Sequence, residues 1–316
     1  MSATILLVGG FGNLGGRIAA HLADLQDHHI VLASRTMRKA PKWAPNAETI
    51  QLDITDPTTF PHIPKSIDCI IQLAGVNDTD SAQNPELAHR VTAEGTKSLL
   101  EQSVRSGIER FMYFSTAHVY GAPLVGRFTE KSLPLASHPY ASTHLLAESN
   151  VARANDRGDI TGICLRISNG FGKPMNYEAG DWRTLTSDLC RQAVTERKMQ
   201  MRTDGLLERN FITKTDIARA VQHLIALPKA QVNDGLFNLG GSKSQTLLAM
   251  ANMIQERAQK KFGVEIPLHR PEPTSTQTQH LNFDIHKLLN TGFSLIENAL
   301  GEVDEFLDMI ELHHQS

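Results

Sequence analysis

The sequence predicts an α/β fold in which a doubly wound parallel sheet is followed by a smaller C-terminal α/β lobe. Three observations predict it. Short apolar runs without alternation, beginning with Ile5-Leu6-Leu7-Val8, have the pattern of strands buried on both faces. Stretches with apolar residues at helical spacing separate these runs, and alternating strands and helices imply a parallel sheet covered on both sides. Glycines 9, 12 and 15 stand directly between the first strand and the first helix.

After Ile5 to Val8, the positions Leu14, Ile18, Leu22 and Leu25 recur at helical spacing. Strand-like runs follow at His29 to Ala33, Ile67 to Leu73, Arg110 to Ser115, Thr161 to Ile167 and Leu236 to Leu239. Asn84-Pro85 reads as an N-cap with proline in the first turn, opening a helix that closes at Gly107. Pro267 to Gln279, rich in Pro, Thr and Gln, reads as a loop. Ile296, Leu300, Val303, Phe306, Leu307 and Ile310 mark an amphipathic C-terminal helix. The boundary is placed at residue 168. Residues 1–168 form the first domain and 169–316 the second lobe, with 211–240 contributing back to the sheet.

The chain has 316 residues, 31 basic and 34 acidic side chains and a formal charge of −3, a balance unlike that of proteins that grip nucleic-acid phosphates. Hydrophobic residues at 41% and charged residues at 21% fit an ordered globular protein. The cysteines, Cys69, Cys164 and Cys190, are few and far apart, so neither a disulfide framework nor a zinc site is expected, and a reducing, cytoplasmic compartment fits. Met1 to Gly10 lacks the basic start of a signal peptide, and no run approaches the roughly 18 apolar residues of a membrane helix. The adjacent pairs His28-His29 and His313-His314 cannot share a helix face, so no metal site is expected.

Gly9, Gly12, Asn13, Leu14 and Gly15 form the turn where a pyrophosphate can approach bare backbone N–H groups at a helix N-terminus, the Rossmann arrangement. The second strand ends Ser34-Arg35 without the carboxylate that usually takes a ribose 2′-hydroxyl, and Arg38 and Lys39 follow. A guanidinium suits a 2′-phosphate, so the expected cofactor is NADP in preference to NAD. Asp53, beside Ile54, is a candidate for the adenine edge or a turn former.

Gly9-Gly10-Phe11-Gly12-Asn13-Leu14-Gly15, Gln72-Leu73-Ala74-Gly75, Glu94-Gly95-Thr96, Phe114-Ser115-Thr116-Ala117-His118-Val119-Tyr120-Gly121, Pro139-Tyr140, Arg166-Ile167-Ser168-Asn169 and Arg209-Asn210-Phe211-Ile212 together resemble the extended short-chain dehydrogenase/reductases, the NAD(P)-dependent sugar-nucleotide epimerases and dehydratases. The resemblance implies that Tyr140 is the acid/base and Thr116 orients the reacting oxygen. It places Leu73, Ala74 and Gly75 beside the cofactor, and Thr116, Asn169, Arg209 and Arg270 on the nucleotide-sugar substrate. It also implies a homodimer through the helices after Pro85 and Tyr140, with Leu145 and Leu146 available for the contact.

Two departures stand out. His144 occupies the position where the family carries lysine, four residues after Tyr140 and on the same helix face, and by the resemblance it is, with Tyr140, a candidate cofactor-binding residue, placed to hydrogen-bond the nicotinamide ribose in the lysine's stead. Histidine is mostly neutral at pH 7, so it lowers a phenol pKa less than a permanent cation. Thr92 stands where the family often has asparagine. Ala117 and His118 replace the Asp-Glu pair of the 4,6-dehydratases, which points to epimerisation or keto reduction, with His118 a candidate second acid/base. Two rival readings follow: a dinucleotide-binding regulator with weak or no turnover, motivated by His144, and a reductase of a non-nucleotide ketone or alcohol.

Overall fold

Seven parallel strands form the central sheet of the computed structural model, which describes residues 3–273 and 279–315. They are β1 (Thr4–Val8), β2 (His29–Ser34), β3 (Glu48–Gln51), β4 (Cys69–Gln72), β5 (Arg110–Thr116), β6 (Thr161–Ile167) and β7 (Leu236–Leu239). Their order is β3-β2-β1-β4-β5-β6-β7, so the direction of winding reverses between β1 and β4. Ligands of such sheets bind in the crevice outside the carboxyl ends of the strands at this reversal. Val8 pairs with Ala33 and Gln72, which brings the ends of β1, β2 and β4 level.

The strands inside the sheet bury both faces, as unalternating apolar runs require. Ile5 and Leu7 pack with Ile18 and Leu22 of the Gly15–Asp24 helix and with Ile217, Val221 and Leu224 of the Lys214–Ala226 helix. Leu6 and Val8 face the other way, onto Leu99 and Leu100 of the Thr96–Arg105 helix and Ala147 and Val151 of the Pro139–Asp156 helix. Each such aliphatic side chain contributes about 1.5–3 kcal/mol on burial.

The second lobe packs the helices Leu185–Thr195, Leu247–Phe262 and Ala299–Gln315 around their own apolar cluster. A three-stranded sheet, Ser244–Thr246, Glu208–Thr213 and Asn169–Phe171, connects this lobe to the crevice. Residues 211–240 run from that small sheet through the Lys214–Ala226 helix into β7.

Several elements differ from expectation. β3 is an edge strand, Glu-Thr-Ile-Gln, with one buried side chain, too little apolar pattern to announce itself. The helix after Pro85 is broken into Pro85–Ala88, a π-helical stretch His89–Gly95, and Thr96–Arg105. π segments concentrate at functional sites, and this one carries Thr92. Ile296 precedes the C-terminal helix and is exposed, as is Leu300; the buried stripe is Val303, Phe306, Leu307 and Ile310. Within Pro267 to Gln279, Leu268–His269 is a short strand paired with Met199–Gln200, and residues 274–278 lie outside those described.

Candidate active site

The glycine turn lies at the mouth of β1. Gly9 takes φ +91°, and a β-carbon on Gly15 would lie 2.2 Å from the Gly9 carbonyl oxygen, so the strand and the helix meet only through glycine. The Gly15–Asp24 helix has no side-chain cap at its N-terminus, which leaves that end for an anion. A β-carbon on Gly9 would stand 3.1 Å from the Ala74 nitrogen, so Leu73, Ala74 and Gly75 border the same turn. This cradle fits a dinucleotide pyrophosphate.

Ser34 and Arg35 close β2, with Arg35 exposed, and the Arg38 guanidinium lies 5.2 Å from the centroid of the Phe11 ring in the glycine turn. Asp53 is a turn former: its Oδ1 accepts from the Thr55 backbone and hydroxyl. The Ile54 side chain is buried in the core, so only its backbone can face a ligand.

The catalytic candidates converge. Thr116, the last residue of β5, accepts the His118 N–H at 3.2 Å and starts a 3-10 turn. The helix carrying Tyr140 begins with Pro139, whose missing N–H costs nothing in the first turn, and His138 Nδ1 accepts the Tyr140 N–H. Tyr140 is thereby fixed in the first turn, with the Thr116 hydroxyl near enough to lower the pKa of its phenol. One turn on, the His144 ring centroid is 4.6 Å from that of Tyr140; the His118 ring is 6.3 Å from Tyr140.

The electrostatics of this cluster are set by burial. Burial pushes the Tyr140 phenol up, against the lowering effect of the nearby Thr116 hydroxyl. Burial, with His118 nearby, pushes His144 down to about 4. Burial and then the Arg209 charge also lower His118. All three are therefore uncharged at pH 7, and Tyr140 has no cation at the i+4 position.

Thr116, His118, Tyr140 and His144 meet; the substrate candidates are more dispersed. Arg209, half-buried at the start of the small-sheet strand, is close enough for its charge to act on His118. Asn169 uses its amide to bond the Asn210 carbonyl. Arg270 is exposed and donates to the Asp204 carbonyl. At the rim, Arg183 of the second lobe holds Asp181 and reaches Asn77 Oδ1 at 3.0 Å, joining the two sides of the crevice.

Two residues that border this cluster and the glycine turn escape sequence reasoning. Lys214, 3% exposed, donates to Asn13 Oδ1 at 2.6 Å and the Gly172 carbonyl at 2.7 Å. Tyr113, inside β5, meets His144 Nδ1 at 2.7 Å. A groove of about 700 Å³ lined by Arg17, His21, Trp43 and Met175 flanks the Gly15–Asp24 helix and holds none of the catalytic candidates.

The profile of the NAD dependent epimerase/dehydratase family matches residues 5–240. The chain belongs to that family of extended short-chain dehydrogenase/reductase enzymes. Within the family, the chain is 28% identical over 301 residues to a UDP-glucose 4-epimerase of Cyamopsis tetragonoloba, covering 85% of each chain. An epimerase, Mth375, of Methanothermobacter thermautotrophicus superposes with a TM-score of 0.83 at 22% identity, over 100% of this chain and 95% of that one. The UDP-glucuronic acid 4-epimerase of Bacillus cereus, solved with UDP-glucuronic acid and NAD, gives 0.79 at 20% identity, over 98% and 99%. These structures share the fold with this family member. No described helix is long and apolar enough to cross a membrane.

Proposed function

We propose that the protein is a nicotinamide-dinucleotide-dependent epimerase or ketoreductase of a nucleotide-activated sugar, with Tyr140 as its acid/base. The single observation that carries this is the convergence of Thr116, His118, Tyr140 and His144 where β5 opens into the crevice bordered by the glycine turn, with the His144 and His118 rings 4.6 and 6.3 Å from the Tyr140 ring. When bound, the cofactor supplies hydride transfer. The chain supplies a proton at the Tyr140 oxygen, and Thr116 orients the oxygen that receives it. A phenol kept neutral by burial carries at pH 7 the proton that the reductive direction uses, while abstraction of a proton needs higher pH.

The absence of a carboxylate at Ala117 and His118 weighs against 4,6-dehydration, and a neutral His118 is fit to serve as a second base. Exposed Arg35 and the lack of an acidic side chain at the end of β2 favour a 2′-phosphate, hence NADP over NAD. Arg209 and Arg270 are assigned to the diphosphate and Asn169 to the substrate side. Three free buried cysteines suit a reducing cytoplasm. The homodimer is assigned to the Pro139–Asp156 helix, where Leu146 is 47% exposed while Leu145 packs against the buried cluster that includes Tyr120 and Phe283.

The test is incubation with UDP-glucose and related UDP-sugars, following anomeric proton signals. Turnover that disappears in Tyr140→Phe is the expected result. Tight dinucleotide binding without turnover on any UDP-sugar would select the regulator reading, which the uncharged His144 favours.

A further inference from the structure

The Tyr113 phenol has one hydrogen-bond partner among the described residues, His144 Nδ1 at 2.7 Å. Both are buried, Tyr113 at 1% and His144 at 7% exposure. A phenol carries one hydrogen, and a buried hydrogen without an acceptor is costly. The neighbouring Glu148 carboxylate makes no hydrogen bond with the phenol among the described residues; it accepts from Arg166. The phenol hydrogen therefore goes to Nδ1. An imidazole that accepts at Nδ1 and is neutral carries its own hydrogen on Nε2.

The position of the ring fixes where that hydrogen is presented. A β-carbon on Gly75 would lie 4.0 Å from His144 Cε1, so the ring edge runs along the end of β4, the stretch bordering the glycine turn. Nε2 has no partner among the described residues and is not a sealed orphan atom. Tyr140 stacks edge-on at 4.6 Å and fixes the ring from the third side.

We propose that Tyr113 is a positioning residue that locks His144 as the Nε2–H tautomer, so that a neutral, directional N–H replaces a lysine ammonium as the donor to the nicotinamide ribose. This rests on the cofactor assignment above. It replaces a charge by a geometry: an ammonium binds through its field over a range of positions, whereas this donor is aimed by the phenol behind it.

The test is nuclear magnetic resonance of protein labelled with ¹⁵N-histidine, the His144 signals being assigned by their loss in His144→Gln. At pH 7 the wild type should show a hydrogen on Nε2 and an acceptor at Nδ1. In Tyr113→Phe the Nδ1 signal should move as its donor is lost, and NAD(P)H binding should weaken about three- to tenfold, the effect of one misaimed hydrogen bond. His144→Gln, which can accept and donate with one amide, should bind the dinucleotide better than His144→Ala. A hydrogen on Nδ1 or an imidazolium at pH 7 in the wild type, or signals unchanged in Tyr113→Phe, would overturn the proposal. The tautomer is read without cofactor, so a wild type that binds no dinucleotide would overturn the cofactor assignment and leave the role of Tyr113 separately decided.

Discussion

Lys214 extends from the start of its helix to Asn13 in the glycine turn, Nζ to Oδ1 at 2.6 Å, and on its other side to the Gly172 carbonyl of the second lobe. The contact joins the turn proposed to cradle a pyrophosphate to the segment that leads out of Phe171. Burial holds the lysine down at about 7, although Glu302 nearby favours its charged form.

This burial makes stability depend on pH. Unfolded, the amine titrates near its model value of 10.5; folded, at about 7. Between these values the unfolded chain binds more protons, so the contribution of Lys214 to stability rises as pH increases from 7 to 10.5. Below pH 7 the full penalty of a buried ammonium applies. Urea unfolding of the wild type and Lys214→Met at pH 6.5, 8 and 9.5 should show the wild type gaining on the variant as pH rises, by up to a few kcal/mol. A constant difference would show that the amine does not titrate in this range.

Removing the Tyr140 hydroxyl takes away the proposed proton donor but leaves the glycine turn intact. Tyr140→Phe should lower turnover by about 10²–10⁴ while dinucleotide affinity, measured by fluorescence titration, stays within about twofold.

At position 144 an ammonium should change the pH profile. With Tyr140 raised and no cation one turn away, the oxidative half-reaction should climb with pH well above neutrality. His144→Lys should move that climb toward neutral pH and raise the rate at pH 7 about tenfold, read by the appearance of reduced nicotinamide absorbance. It also strands the Tyr113 hydrogen, so the variant should be less stable by about 1–3 kcal/mol.

Specificity for the dinucleotide is assigned to Arg35. Arg35→Asp should weaken NADPH binding about 10–100-fold, the effect of losing a charge-assisted contact, and should improve NADH binding. Equal affinities for the two dinucleotides in the wild type would remove Arg35 from the site.

Much of the sheet was legible because strands buried on both faces have no polar face to interrupt them; Ile5 to Val8 and Thr161 to Ile167 match the structure within a residue. Glu48–Gln51 escaped because an edge strand with one buried residue carries no such signature. Tyr140, Thr116, His144 and His118 were legible from motif positions, and the structure groups them. Tyr113 was not, since within a strand it looks like any β-forming aromatic. Lys214 was hidden because a lysine in a first helical turn normally reaches water. The available signal was Thr213, which caps that helix by accepting the Asp216 N–H and so starts it within the crevice. Leu145 and Leu146 are neighbours on one helix and face opposite ways, a distinction that apolarity alone cannot make.

The bond from Arg183 to Asn77 has a consequence for how the crevice is held together. It ties the rim at the surface, with Arg183 exposed and Asn77 half-buried, where water competes for donor and acceptor. Such a contact is worth about 1 kcal/mol or less, comparable to thermal energy. Breaking this tie therefore costs the fold little, whereas the buried bonds from Lys214 to Asn13 and Gly172 hold the two sides together at depth.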